Sequence, residues 1–378
     1  IGIGGSTLLS IERGRGHEKR SNKIFTLSII MGSVISILYM ILGLLFIDKV
    51  AYFLGATEYI LPLVKEYLFI IMIGTVSFVM VNVLSPFIRA DKAPKTAMAA
   101  VIIGGFTNIA LDYIFVFPLN MGMKGAAMAT VIGSLITSLV LLTHFIKKKN
   151  RIKICIKGIS FDMVKKIISC GSSSFLMEVA SGFVIFIFNI QILKYIGDNG
   201  IVIYGIISNC IIVGISLFNG IAQASQPIIA TNHGADEVKR VRNVLKYAMY
   251  TTIAIGIILF AIVFVFTKEV ILVFVKADES IINMGITPIR MYLSAFCIMN
   301  INILMCNYFQ SIGREKVSVS ISIIRGFLLN IILVLIMPVV LGGNSLWIVV
   351  PITEIITFLG ICIYSNRKTK VNYKACNP

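Results

Sequence analysis

The sequence predicts an all-α, polytopic membrane protein built from two pseudo-symmetric six-helix bundles. Hydrophobic residues make up 57% of the 378 and charged residues only 13%, with a mean hydropathy of +0.94. The apolar residues fall into long runs, and a weak sequence repeat relates the two halves of the chain. A soluble domain has no use for so much apolar sequence, whereas a multi-pass membrane protein requires it.

Ten apolar stretches are long enough to cross a bilayer as helices, since about 20 residues suffice. They cover residues 24–47, 60–87, 96–118, 124–146, 166–193, 199–230, 243–267, 281–311, 317–340 and 345–365. The apolar stretch from Ile1 to Ser10 is predicted to be the end of one more helix.

The net charge of +17 reflects topology rather than nucleic-acid binding. Of the 34 lysines and arginines, 26 lie in alternate loops and in the C-terminal tail. Such a bias places those loops and the C-terminus in the cytoplasm, next to anionic lipid headgroups. We therefore expect a multi-pass protein of the cell inner or plasma membrane that contacts lipids and binds no nucleic acid.

An internal repeat of 220–222 residues organises the chain. It aligns Gly14 with Gly234, Phe87 with Phe309, and Asn108 with Asn330. Because both copies have their first basic loop on the same side, a pseudo-symmetry axis along the membrane normal is predicted. The expected domains are an N-lobe (1–146), a cytoplasmic interlobe loop (147–163) and a C-lobe (164–378).

The same arithmetic predicts that part of the first copy lies upstream of Ile1. The second copy begins near Val164, and subtracting 222 from 164 gives a position before the chain starts. We expect the first helix and most of the second helix to be missing from this sequence.

Charged side chains within the apolar stretches are the strongest functional signal. Even the mildest scale assigns ~2.5–3.5 kcal/mol to a charge at the centre of a membrane helix, so such residues usually mark ion or substrate pathways. Asp112 is one, and Asn108 shares its helical face. Glu178 lies near the middle of its predicted helix. Arg325 could serve as a counter-ion to Glu178 or could cap carbonyls of a broken helix.

Two phrases carry a family resemblance. The run Asn108-Ile-Ala-Leu-Asp112-Tyr-Ile-Phe-Val-Phe-Pro118, followed by Gly122-Met-Lys-Gly-Ala-Ala-Met-Ala-Thr130, resembles the fifth and sixth helices of the MATE (multidrug and toxic compound extrusion) family. The phrase Gly220-Ile-Ala-Gln-Ala-Ser-Gln-Pro227 supports it. The resemblance extends over essentially the whole chain and is greatest to the bacterial multidrug-export branch.

The resemblance implies a twelve-helix, two-lobed antiporter that exports cationic lipophilic compounds in exchange for H⁺ or Na⁺. It assigns Asn108, Asp112 and Thr130 to an N-lobe ion or proton site, and Glu178 to an acidic position on the seventh helix. Spacing agrees in part, because Asp112 and Thr130 each lie six residues from the predicted outer ends of neighbouring helices. An interhelical hydrogen-bond network, and a protonated Glu178 without a transport role, are the structural alternatives.

Other polar, Met and Phe residues inside helices are candidates for the wall of a substrate cavity. They are Met177, Phe183, Asn189, Gln223, Asn300 and Asn302. Met-rich and aromatic walls suit loose recognition of varied cations. Helix-packing hydrogen bonds are an equal alternative for each Asn and Gln.

Three functions can be weighed from these residues. A cation-coupled multidrug antiporter, acting as a monomer without a cofactor other than its coupling ion, fits best. A flippase for lipid-linked saccharides of the same superfamily would favour several basic residues in its cavity, and Arg325 alone does not supply them. A membrane-embedded enzyme is not expected, since the sequence has no catalytic motif.

Overall fold

The computed structural model describes residues 1–146, 150–156, 158–275 and 279–375, and most of these residues lie in helices. In chain order the α-helices are α1 Gly2–Gly14, α2 Glu18–Leu45, α3 Ile47–Phe53, α4 Leu61–Ala90, α5 Pro94–Val116, α6 Gly122–Ile146, α7 Phe161–Tyr195, α8 Asp198–Gly234, α9 Val238–Val265, α10 Thr267–Phe274, α11 Glu279–Leu293, α12 Phe296–Ser311, α13 Glu315–Ile323, α14 Leu329–Leu341 and α15 Val349–Ala375. A π-helical turn, Ile324–Leu328, joins α13 to α14, and a 3₁₀ turn, Gly343–Ile348, precedes α15.

Ten of the helical stretches among the described residues are long and apolar enough to span a membrane. They coincide with the ten predicted spans, and the predicted helix end near Ile1 appears as α1. The all-α, multi-pass fold class is therefore confirmed. The short helices α3 and α10 were not predicted. They follow Phe46 and Phe266, which leave helical geometry with nearly the same backbone angles.

The sequence repeat reappears in the order of the helices. Helices α2 and α9 begin 220 residues apart, at Glu18 and Val238, and the short helices α3 and α10 also begin 220 residues apart. In the first copy, α3 is followed by a long apolar stretch that starts near Leu61. In the second copy, α10 is followed by one that starts near Glu279. The repeat thus relates whole helices and the breaks between them.

The chain divides into two compact units, Ile1–Gly171 (the N-unit) and Ser172–Pro378 (the C-unit). The division falls within α7. Ile167, near the beginning of that helix, is fully buried in the N-unit core together with Leu9, Ile24 and Phe87. The C-unit has a separate, larger core around Phe188, Tyr292 and Phe296 among others.

Helices α5 and α6 approach each other closely in the N-unit because small residues face each other. A Cβ atom on Gly104 would lie 2.7 Å from the carbonyl oxygen of Gly133 and would collide with Thr137. Such close backbone approach is how small residues promote helix association in membranes. It sets the distance between the polar residues on the two facing surfaces.

The segment that follows α6 is attached to the N-unit. The backbone N–H of Lys153 donates to Asn22 Oδ1 at 3.1 Å, and that of Cys155 donates to Thr26 Oγ1 at 2.8 Å. Between them, Ile152 is 2% exposed. N–H groups two residues apart point the same way in an extended segment. This part of the predicted interlobe loop therefore runs along α2 in an extended conformation and is held by two α2 side chains.

Asp91, which directly follows α4, contacts residues at the ends of α1 and α6 in the N-unit. Its Oδ1 lies 2.9 Å from the Arg13 guanidinium at the end of α1, and its Oδ2 lies 2.8 Å from His144 Nε2 near the end of α6. The N–H of Arg151 also donates to Oδ2, at 3.2 Å. The side chain of Asp91 is completely buried. We call these four residues the Asp91 cluster.

The π-helical turn positions Arg325 in the C-unit. Asn330 Nδ2 donates to the Arg325 carbonyl oxygen at 2.6 Å, which satisfies a backbone acceptor near the widened turn. Gly326 lies in the same turn, where an added Cβ would approach Ala180 Cβ of α7 to 2.6 Å. The missing side chain therefore allows the turn to lie directly against α7, two residues from Glu178.

Candidate ion and substrate sites

The N-unit brings Asn108 and Thr130 together across the α5–α6 contact. Asn108 Nδ2 donates to Thr130 Oγ1 at 3.5 Å, and the Thr130 hydroxyl donates to the Ala126 carbonyl oxygen at 2.9 Å. The Gly133 backbone lies against Asn108, since an added Cβ there would meet Asn108 Cβ at 2.8 Å. The close helix approach is therefore what makes this polar contact possible.

Asp112 lies one helical turn beyond Asn108 on α5. Its Oδ1 atom is buried and has no hydrogen-bond partner among the described residues. A buried carboxylate oxygen without a donor is unfavourable, because folding removes its water without replacing it. A proton or a hard cation would satisfy such an oxygen, and the neighbouring amide and hydroxyl oxygens are ligands of the same class.

A second polar site lies in the C-unit, where a cavity of about 160 Å³ opens among α7, α8, α12, α15 and the π-helical turn. Apolar and aromatic groups form most of its wall. The polar side chains that line it are Glu178, Ser181, Tyr204, Ser208, Asn219, Tyr292, Ser322, Arg325, Asn330 and Glu354. Such a mixture of apolar surface with a few convergent polar groups is typical of small-molecule sites.

Arg325 forms an ion pair with Glu354 across this cavity wall. Arg325 Nε donates to Glu354 Oε1 at 2.7 Å and to Oε2 at 2.9 Å. The exposed fractions of the two side chains are 14% for Arg325 and 3% for Glu354. The counter-ion of Arg325 is therefore Glu354, and not Glu178 as one of the sequence interpretations had it, because the π-helical turn faces α15 at this point.

Two asparagine amides form hydrogen bonds next to the ion pair, one to Glu354 and one to the adjacent Thr353. Asn302, completely buried on α12, donates through Nδ2 to Glu354 Oε2 at 2.7 Å and to the Glu354 carbonyl oxygen at 2.8 Å. Asn330 accepts a hydrogen bond of 3.4 Å from Thr353 Oγ1. The Glu354 carboxylate thus accepts hydrogen bonds from Arg325 in the π-helical turn and from Asn302 on α12, and these bonds fix its orientation.

Glu178 is different from Glu354. Its side chain is largely exposed and lines the cavity. Within the described part of the chain, no lysine, arginine or histidine lies within ion-pair distance of its carboxylate. The C-unit cavity therefore contains one paired acid and one acid without a counter-ion.

The remaining sequence candidates lie in varied surroundings. Met177 lines the cavity, and its sulfur lies 3.6 Å from Cys306 Sγ. Phe183 is 43% exposed, with its ring centroid 6.0 Å from that of Phe327. Among the described residues, the Asn189 amide donates to the Ile185 carbonyl of its own helix and to no other helix. Asn300 is buried and donates to the Thr252 carbonyl oxygen at 2.7 Å, and Gln223 does not line this cavity.

Sequence reasoning missed Glu354 and the Asp91 cluster. Glu354 carried the same signal as Asp112 and Glu178, an acid inside an apolar run, and the rule that singled them out applies to it equally. Asp91 and His144 are 53 residues apart at loop edges, where charged residues are common. No sequence pattern indicates that they pair.

Comparison with known proteins agrees with this architecture. The family profile described as MatE matches residues 1–114 and 174–336. "Multidrug export protein MepA" from Staphylococcus saprophyticus is 24% identical over 349 residues, which cover 92% of this chain and 75% of that protein. Its counterpart from Staphylococcus aureus has the same identity and coverage.

Solved structures show the same fold. An outward-facing multidrug resistance MATE family transporter of the MOP superfamily superposes with a TM-score of 0.91 at 22% identity, over 99% of this chain and 84% of that one. A MOP superfamily transporter from Pyrococcus furiosus, described as having a binding pocket of reverse polarity, gives a TM-score of 0.86 at 23% identity, over 95% and 82% of the two chains. Since the MatE profile covers well over half of the sequence, this multi-pass membrane protein belongs to the MatE family.

Proposed function

We propose that the protein exports cationic lipophilic compounds in exchange for H⁺ or Na⁺, with Asp112 as the coupling acid. One observation carries the proposal: the buried Asp112 Oδ1, without a donor, next to the Asn108–Thr130 contact. An acid that lacks a permanent partner can bind and release a cation during each cycle, which exchange requires. The similarity to MepA multidrug export proteins supports export of drugs as the direction and cargo of transport.

Glu178 is assigned the attraction of the cationic substrate. It lines a cavity with a mainly apolar wall and has no counter-ion among the described residues. A carboxylate without a counter-ion attracts a cation, because no neighbouring charge neutralises it. The repeat further supports alternating access, in which the two units exchange inward-open and outward-open arrangements around their sites.

Lipid-linked saccharide transport is a weaker alternative. A diphosphate linkage would require unpaired basic groups in the cavity. Of the described residues that line the C-unit cavity, only Arg325 is basic, and it is paired with Glu354. The charge of this cavity therefore favours cations.

The test is transport by Asp112→Asn in proteoliposomes loaded with a fluorescent cationic dye. Efflux of the dye is driven first by a pH gradient and then by a Na⁺ gradient, so that the coupling ion is identified in the same preparation. We expect wild-type protein to move dye against its gradient with one of the two ions. Asp112→Asn should retain dye binding but lose uphill transport. Asp162→Asn, a carboxylate in an exposed pair with Lys166, is the matched control. Full gradient-driven efflux by Asp112→Asn would overturn the proposal.

The proposed membrane arrangement follows the charge bias. The basic loops and the C-terminus should face the cytoplasm in the plasma membrane. Labelling of single cysteines placed at Lys19 and at Lys124 in intact cells with a membrane-impermeant maleimide tests the topology. Only the cysteine at position 124 should react.

A further inference from the structure

We infer that the Arg325–Glu354 ion pair holds the C-unit cavity at a net charge of −1 and so makes it select compounds with one positive charge over compounds with two. The inference rests on the proposed export of cations and adds a substrate class to it. It assigns to Arg325 a role in specificity that is separate from the coupling role proposed for Asp112.

The cavity wall contains few charged side chains. Among its described residues, three carry charge: Glu178, Arg325 and Glu354. Arg325 Nε lies within 2.9 Å of both oxygens of Glu354, so these two charges cancel at short range. Glu178 alone is left to interact with a bound cation.

Arg325 affects the cavity as well as its partner Glu354. Its side chain is 14% exposed and lines the cavity. A second positive charge on a ligand attracted by Glu178 therefore finds no unpaired carboxylate in this region of low dielectric constant, because the guanidinium already neutralises Glu354. A single positive charge can lie close to Glu178 and away from Arg325.

Stability alone does not account for an ion pair at this position. A nearly buried pair contributes little net stability, because desolvation of both charges offsets their attraction, and apolar side chains of similar size hold helices equally well. Asn302 is committed to the same carboxylate, and its own Oδ1 is left buried without a donor. Helix packing alone does not require this arrangement. Control of the cavity charge gives it a function.

The rest of the wall suits a lipophilic body. Met177 and Met299 provide flexible apolar surface beside the isoleucines Ile211 and Ile215. Tyr204 and Tyr292 also line the cavity, with ring centroids 6.1 Å apart, and aromatic faces attract organic cations. The expected ligand is thus an apolar compound with one delocalised or quaternary positive charge.

The test measures the binding of two dyes with the same ring system, ethidium with one charge and propidium with two. Dissociation constants are measured by fluorescence anisotropy on purified protein in lipid nanodiscs. Each variant is judged by its ratio of the two constants, so that differences in dye size cancel between variants. Wild-type protein should prefer ethidium. Arg325→Gln, with a cavity charge of −2, should shift the ratio by about tenfold or more toward propidium.

The other variants complete the charge series. Arg325→Gln combined with Glu354→Gln returns the cavity to −1 and should restore the wild-type ratio. Arg325→Lys, which keeps the charge but not the planar guanidinium, should also keep it. Glu354→Gln alone brings the charge to zero and should weaken both dyes, propidium most. That variant decides the question even where Arg325→Gln does not fold.

An unchanged ratio in both Arg325→Gln and Glu354→Gln would overturn the inference, as would a double variant whose ratio stays with that of Arg325→Gln. The proposed function fails differently. If wild-type protein binds neither dye and shows no gradient-driven efflux, both proposals are overturned. If it binds and exports ethidium while the ratios ignore the charge series, only the role of Arg325 is lost.

Discussion

Asp91 Oδ2 lies 2.8 Å from His144 Nε2, although the two residues are 53 positions apart and belong to the ends of α4 and α6. The same carboxylate binds Arg13 and the backbone of Arg151. One side chain thus holds three helix ends and the following extended segment together. The Asp91 cluster is therefore expected to stabilise the N-unit through its charge as well as through its packing.

Asp91→Asn should destabilise the N-unit by about 3 kcal/mol, because it leaves the largely buried guanidinium of Arg13 without its carboxylate. Thermal unfolding of the detergent-solubilised protein gives the measurement. Asp162→Asn is the control, since that carboxylate is 65% exposed and its solvent-screened pair with Lys166 should contribute little to stability. Equal midpoints for the two variants would contradict a stabilising role for the cluster.

Gly104→Ala should separate α5 from α6 and reduce both thermal stability and gradient-driven efflux, because the added methyl group collides with Thr137 and the Gly133 backbone. Its neighbour offers a matched control: an added Cβ on Gly105 meets no atom within 4 Å. Gly105→Ala should be neutral or slightly stabilising. If Gly104→Ala behaves in the same way in both assays, the close helix contact does not organise the Asn108–Thr130 site.

Asn302→Leu should destabilise the C-unit by about 2–3 kcal/mol, because the carboxylate and the carbonyl oxygen of buried Glu354 both lose a donor. Asn189→Leu removes an amide that bonds only to its own helix and should change stability little. The two variants are compared by thermal unfolding and by ethidium binding. A larger effect of the change at position 189 would refute the assigned role of Asn302.

Thr26→Val should release the segment around Cys155, whose N–H donates to the Thr26 hydroxyl. Hydrogen exchange at that amide should accelerate by about tenfold, which corresponds to the loss of roughly one hydrogen bond. Thr107→Val is the control. The hydroxyls of Thr107 and Thr26 each donate to a carbonyl oxygen of their own helix, but among the described residues only that of Thr26 also accepts the Cys155 N–H. Unchanged exchange in Thr26→Val would show that burial of Ile152 and the Lys153–Asn22 hydrogen bond hold the segment without the bond to Thr26.

Composition and periodicity were sufficient to predict the ten spans, because each must satisfy the bilayer by itself. The grouping of Asn108 with Thr130 followed from the family resemblance, whereas the spacing argument concerned Asp112 and Thr130. Features that depend on contacts between distant helices were not predicted. Arg325 was recognised as an intramembrane charge, but its partner depends on how the π-helical turn faces α15. The breaks after Phe46 and Phe266 likewise have no compositional signal, since phenylalanine is common inside helices.

The π-helical turn at Ile324–Leu328 has a mechanical consequence for the cavity. A π-turn is equivalent to one residue inserted into an α-helix, so the helical phase of α14 is offset from that of α13 by about 100°. Rewinding this turn as regular α-helix would rotate Asn330 away from Thr353 and break its bond to the Arg325 carbonyl. A change of winding confined to five residues would therefore move Arg325 relative to Glu354 and alter the electrostatic field of the cavity without bending either flanking helix.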